Sequence, residues 1–185
     1  MKHLSIITAV LGLITQLNFA KAEINTTSIV SLMNEVALGL DWKVGDRLEY
    51  NISAGFAGSG TLVKEAFKDE GESIWVKQDI VIGGRTEKME MLINKADGSV
   101  LKIIRNGREE QVPNDPPEIT DVEMTEVTVP AGTFSATHIT GKTKQVKKFE
   151  VWANADDTAL DGTLKQVANM GFITMTMELT RFVRN

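Results

Sequence analysis

The sequence predicts a mainly β protein, a curved antiparallel sheet or incomplete β-barrel with one N-terminal helix on its concave side. Three observations predict it. Apolar residues recur at the helical period in only one stretch, before residue 41; beyond it they recur at every second position; and the alternating runs are separated by glycine, aspartate and proline turns.

The helix comes first. In TTSIVSLMNEVALGL, residues 26–40, Ile29, Met33, Val36 and Leu40 fall at i, i+4, i+7 and i+11, which makes one apolar face. Thr26, Thr27 or Ser28 can cap its start, and Gly39 lies near its end. The period then changes to two. In RLEYNISA, Leu48, Tyr50, Ile52 and Ala54 alternate with Arg47, Glu49, Asn51 and Ser53, the pattern of a strand with one wet face. GFAGSG, residues 55–60, reads as a loose turn into TLVKEAF. Ile74, Val76, Ile80 and Ile82 share one side of the next run, and Met89, Met91 and Ile93 one side of the run after it. Asp97-Gly98 is a hairpin signal leading into SVLKIIRNG, so the chain builds an antiparallel meander.

QVPNDPPE holds three of the four prolines and reads as the one long connection, because proline cannot donate to a ladder. Strands are expected again near 119–129, 134–142, 146–154, 163–168 and 172–183, for a total of about nine to eleven. In the first of these, Val122 and Met124 share one parity and Val127 and Val129 the other, which predicts a bulge near Thr125 or Glu126. VTVPAGTF, residues 127–134, closes that strand. Pro130 fixes a first corner position, Gly132 can supply positive φ, and Phe134 restarts a strand. Thr133 is the only candidate for chemistry there, so the stretch reads as a corner of the sheet.

The chain of 185 residues, 42% hydrophobic, fits a single domain with its own core. Ahead of it, Lys2 precedes an apolar run from Leu4 to Leu17, closed by Ala20-Lys21-Ala22, a small-x-small cleavage pattern. Residues 1–22 therefore read as a signal peptide and 23–185 as one half-barrel-like β domain. The apolar run is shorter than the roughly 20 residues a membrane-spanning helix needs. Losing two lysines and no acid moves the formal charge from −5 to −7, which argues against nucleic acid and against binding anionic membranes by charge alone. The absence of cysteine excludes disulfides, thiol chemistry and lipidation at a cleavage-site cysteine. The expected location is periplasmic, as an exported protein without a transmembrane segment, with full secretion as the alternative. Asn25-Thr26-Thr27 and Asn51-Ile52-Ser53 match the glycosylation triplet, which matters only in a eukaryotic host.

Catalytic patterns are missing. His138 is the only histidine after residue 22 and has no serine or metal-ligand partner at a motif spacing. GSG at 58–60 lacks the surroundings of a nucleophile elbow or a phosphate loop and reads as a turn. NADDTALDG, residues 154–162, fails the calcium-loop pattern at its sixth and twelfth positions and reads as an acidic hairpin loop. The pairs Asp69-Glu70 and Glu109-Glu110 are adjacent on strands and so face opposite sides. No enzyme activity, cofactor or metal is expected. The notable inventory is methionine: Met33, Met89, Met91, Met124, Met175 and Met177 all fall on predicted apolar faces, which suits either an irregular core or an adaptable apolar binding surface.

TVPAGTFSATHITGK at 128–142 and VWANADDTALDGTLKQV at 151–167 resemble the carboxyl half of an uncharacterised secreted bacterial family with a Val-Pro-Ala-Gly-x-Phe corner. WKVGDRLEYNI at 42–52 is similar to that family's first strand. The group resembles the lipoprotein carriers of the LolA and LolB type. The resemblance implies an incomplete antiparallel barrel around a helix, with an apolar cavity for acyl chains.

Two functions stay open at this level. One is a non-enzymatic periplasmic protein that binds a lipid or other apolar ligand in a half-barrel cavity lined by Ile52, Met89, Met91, Ile93, Met175, Met177 and Leu179, with Ile29, Met33, Val36 and Leu40 as a helical lid. The other is an interaction or structural module of the cell envelope, with a filled core and an envelope protein as partner.

Overall fold

The computed structural model describes residues 41–112, 117–143, 146–171 and 173–185. The signal segment 1–22 and the predicted helix with Ile29, Met33, Val36 and Leu40 lie outside the described residues. Alternation of apolar and polar residues after Asp41 does produce strands. They are β1 (Arg47–Ser53), β2 (Ser59–Asp69), β3 (Ser73–Ile82), β4 (Arg85–Asn94), β5 (Val100–Arg105), β6 (Arg108–Glu110), β7 (Glu118–Val129), β8 (Gly132–Lys142), β9 (Lys148–Ala153), β10 (Thr163–Asn169) and β11 (Thr174–Val183). All belong to one antiparallel sheet in the order β6-β5-β4-β3-β2-β1-β11-β10-β9-β8-β7. The sheet is curved and open, with β6 and β7 as its edges. Among the described residues no helix is long and apolar enough to cross a membrane.

Two meanders make up this order. The strands β1 to β6 each pair with the next in sequence, as do β7 to β11, and the β1–β11 ladder joins the two sets from Arg47↔Val183 to Ser53↔Thr176. GFAGSG is more ordered than a loose turn: Gly55–Ala57 forms one 3₁₀ turn, and Ser59 and Gly60 already belong to β2. The strand β6 was not visible as a run of its own, because Arg-Glu-Glu offers no apolar residue to alternate. It forms because Asn106 and Gly107, with φ of 49° and 79°, fold β5 back on itself.

The bulge expected near Thr125 or Glu126 is not there. Pairing runs unbroken from Asp121↔Thr140 to Val129↔Gly132, and the shift lies between Ile119 and Asp121. Instead of slipping, the β7–β8 hairpin presents opposite faces to the core along its length. Near β9, Thr137, Ile139 and Gly141 are buried; beyond the last β8–β9 pair, Thr137↔Ala153, β8 has no ladder partner other than β7 and the hairpin coils, so that Val127, Val129 and Ala136 become the buried set. Met124, predicted on an apolar face, is 67% exposed and Val122 57% exposed.

Coiling brings the corner inward. The Ala131 N–H donates to the Leu179 carbonyl at 3.0 Å, and Phe134 meets Phe182 edge-on at 6.4 Å. Gly132 has φ of 143°, a conformation that side chains rarely adopt. Gly132→Val is therefore expected to cost about 1 kcal/mol or more. Thr133→Ala, which removes only an exposed hydroxyl pair with Thr128 at 3.0 Å, is expected to cost less. Thermal melting of the two variants checks this, and equal melts would mean that the turn tolerates a Cβ.

Candidate functional site: the inner face and its inserted loop

In an antiparallel ladder, residues directly opposite each other share a face, so the registers define rows of side chains across the sheet. One row runs through eight strands: Ile82, Gly60, Ile52, Met177, Gln166, Val151, Ile139 and Val122. Beside it lie Leu179, Tyr50, Leu62 and Ile80 on one flank, and Met175, Ala168, Phe149 and Gly141 on the other. Towards the β5 edge the inner face continues through Met89, Met91 and Ile93, with Met91 opposite both Val76 and Ile103. The structure thus puts Ile52, Met89, Met91, Ile93, Met175, Met177 and Leu179 on the buried inner face, each at most 3% exposed, with Lys64, Gln78 and Gln166 as buried polar side chains among them. Burial of such side chains stabilises the fold by roughly 1.5–3 kcal/mol each relative to exposure.

NADDTALDG forms the hairpin loop between β9 and β10, as its sequence predicts. Acidic as it is, its second half is not solvated: Thr158, Ala159, Leu160, Asp161 and Gly162 are all buried. Asn154 anchors its start, accepting from the Asp157 N–H at 3.0 Å while its own amide donates to the Ser135 carbonyl at 2.8 Å. Leu160 is held at φ of 50°, a left-handed conformation that costs roughly 1–2 kcal/mol for a non-glycine residue. That strain is repaid by contacts at the loop's end, where Asp161 points inward.

Asp161 reaches past β11 and β1 to the Lys64 ammonium on β2, and the two side chains are 0% and 2% exposed. Its other oxygen accepts from the Thr163 N–H at 3.0 Å and the Thr163 hydroxyl at 2.7 Å. The Tyr50 hydroxyl completes the group by donating to the Thr163 carbonyl at 3.0 Å. No local pattern could have revealed this ion pair, since its partners stand far apart in the chain and Lys64 sits at an ordinary inward position of β2.

Burial, reinforced by the Asp161 carboxylate, pushes the Tyr50 hydroxyl well above its ordinary range, and the hydrogen bond to Thr163 opposes this only in part. A raised pKa means that folding favours the neutral phenol. This contribution is complete below the unfolded value of about 10 and is lost as pH rises through the folded value. Tyr50 is the only tyrosine, so tyrosinate absorbance reports it alone. Ionisation is expected only at more alkaline pH, together with unfolding; reversible ionisation of the folded protein near the ordinary value would place the ring in water.

Gln166 is the exception in the long apolar row. It is fully buried between Met177 and Val151, and among the described residues neither its amide nitrogen nor its amide oxygen has a hydrogen-bond partner. Leaving such groups unpaired costs roughly 1–3 kcal/mol.

On the outer face His138 stacks on Trp152 with ring centroids 4.2 Å apart. Its Nδ1 lies 3.0 Å from Glu123, and its Nε2 is 3.6 Å from Glu150. Lys165 stands over the same Trp152 ring at 5.9 Å and pairs with Glu178 at 2.7 Å. This cluster ties β7 to β11 across the convex side.

Fold and site together define a class: an open, strongly curved antiparallel sheet whose buried inner face is apolar and partly covered by an inserted loop. Three solved structures resemble it at the level of fold. A hypothetical protein from Chlamydia trachomatis matches with a TM-score of 0.49 at 8% identity, covering 78% of this chain and 89% of that one. MucB in complex with MucA(peri) matches at 0.47 and 13%, covering 84% and 55%, and MucB alone at 0.45 and 9%, covering 83% and 56%. The chain thus spans little more than half the length of MucB. No protein-family model matches the sequence, and no curated protein matches it.

Proposed function

We propose that the chain is a non-catalytic, exported protein of the bacterial cell envelope that binds a lipid or similar apolar ligand against the inner face of its sheet. One observation carries this reading. One row of side chains runs through eight strands with Gln166 as its one polar member, and that amide has no hydrogen-bond partner among the described residues. A mostly apolar concave surface with a few placed polar groups is the usual make-up of a small-molecule site. An acyl chain needs no ionic partner and gains about 0.8 kcal/mol per buried methylene. The side chains proposed to meet it are Ile52, Met89, Met91, Ile93, Met175, Met177 and Leu179. Methionine suits this because its unbranched side chain can repack around ligands of different shape. In this reading the LolA- and LolB-type carriers are the functional analogy.

The second reading, an envelope interaction module with a filled core, is favoured by the near-complete burial of those same side chains and by the loop already inserted beside them. Organic extracts of protein purified without detergent, analysed by mass spectrometry, and displacement of a fluorescent fatty acid separate the two. Saturable displacement that Met177→Trp abolishes without unfolding the protein is the expected result. No extracted lipid, no displacement and an unfolded Met177→Trp variant would establish the filled core.

A further inference from the structure

We propose that Gln166 is a polar anchor that selects, among apolar ligands, those bearing a carboxamide or an un-ionised carboxyl group. The proposal rests on the binding reading above and adds to it a chemical class and a specificity-determining residue. The argument begins with what a glutamine amide requires. Its nitrogen offers two donors and its oxygen accepts, and the side chain is satisfied only by a neighbour that presents an acceptor and a donor close together.

Among the described residues none presents one at this position. Gln166 faces Met177 on one side and Val151 on the other, and the next residues along the row are Ile52 and Ile139, so its immediate surroundings contain no polar side chain in register. The contrast with the rest of the inner face is informative. Lys64, Asp161, Thr163 and Tyr50 are equally buried and form a closed set of ion pair and hydrogen bonds. That set is closed, whereas Gln166, three strands in from the β7 edge, has no hydrogen-bond partner among the described residues.

A carboxamide placed against Gln166 supplies both complements, its carbonyl accepting from the glutamine nitrogen and its N–H donating to the glutamine oxygen. A protonated carboxyl group does the same through its carbonyl and hydroxyl. An ionised carboxylate has no donor and a hydrocarbon has neither, so both would leave part of the amide unpaired. The ligand's chain would run along the apolar row, over Met177 and Ile52.

The test compares three probes of equal chain length, a fatty amide, a fatty acid and an alkane, by displacement of a fluorescent fatty acid from the full chain, before and after Gln166→Met. The amide is expected to bind the parent at least about tenfold more tightly than the alkane, the size of one or two buried hydrogen bonds, and Gln166→Met is expected to remove that preference. The fatty acid is expected to follow the amide at low pH and to fall behind it as its carboxyl ionises. Unfolding of each variant is measured alongside, and Gln166→Leu serves if the methionine variant fails to fold. Equal preference for the amide in parent and variant would overturn the role of Gln166 while leaving the binding reading intact. Failure of all three probes to bind the parent would overturn both.

Discussion

Asp161→Asn is expected to destabilise the protein by about 3–5 kcal/mol, because it leaves the Lys64 ammonium charged and uncompensated in the interior. The asparagine oxygen can still accept from the Thr163 N–H, so the loss isolates the charge and not the loop's hydrogen bonds. Adding Lys64→Met removes the stranded charge and is expected to restore most of the stability, since a buried ion pair replaced by an apolar side chain of similar volume is often close to neutral. Urea unfolding of the two single variants and the double variant gives the coupling directly. If Asp161→Asn unfolds within about 1 kcal/mol of the parent, the 154–162 loop lies outside the core in solution and the inner face is far more open than described.

A loss of similar size is expected at Phe149. The ring is fully buried on β9 and lies over Gly141, where a Cβ would collide with the ring's Cζ and come within 2.7 Å of the Glu118 carbonyl. Because the backbone at Gly141 has no side chain with which to refill the space, Phe149→Ala leaves a cavity at the foot of the long apolar row and is expected to cost about 3–5 kcal/mol. Phe56→Ala is the control. That ring is 83% exposed, and its removal is expected to change stability by no more than about 0.5 kcal/mol. A Phe149→Ala variant as stable as the control would mean that β8 and β9 close around the gap.

The architecture was legible wherever one strand face is buried and the other wet. Leu48, Tyr50 and Ile52, or Met175, Met177 and Leu179, announce both strand and orientation, because a period of two is the only way to bury all three. Local pattern failed where burial depends on distant partners. Asp161 reads as solvent-facing until Lys64 is brought beside it, and β6 has no apolar residue to mark it. Val122 and Met124 failed in the opposite sense: they are apolar but exposed, and the change of parity after them reflects a coiled hairpin instead of a slipped register. Among the site residues, sequence placed seven apolar side chains on one face, but Gln166 carried no signal of its own. A glutamine in KQVAN marks itself only once its neighbours in the sheet are known to be Met177 and Val151.

The junction of the two meanders has a consequence for how the chain reaches this state. Hairpins within β1 to β6 and within β7 to β11 are local and need only neighbouring residues, but the ladder that unites them pairs the first described strand with the last. Neither half can be sealed until β11 exists, so folding waits on the most distant contact in the domain, a topology associated with slow folding. During synthesis the β1 edge, with Tyr50 and Ile52 beside it, stays unpaired until the end of the chain arrives. Until β11 joins it, that edge is a row of free backbone donors and acceptors open to pairing with another chain.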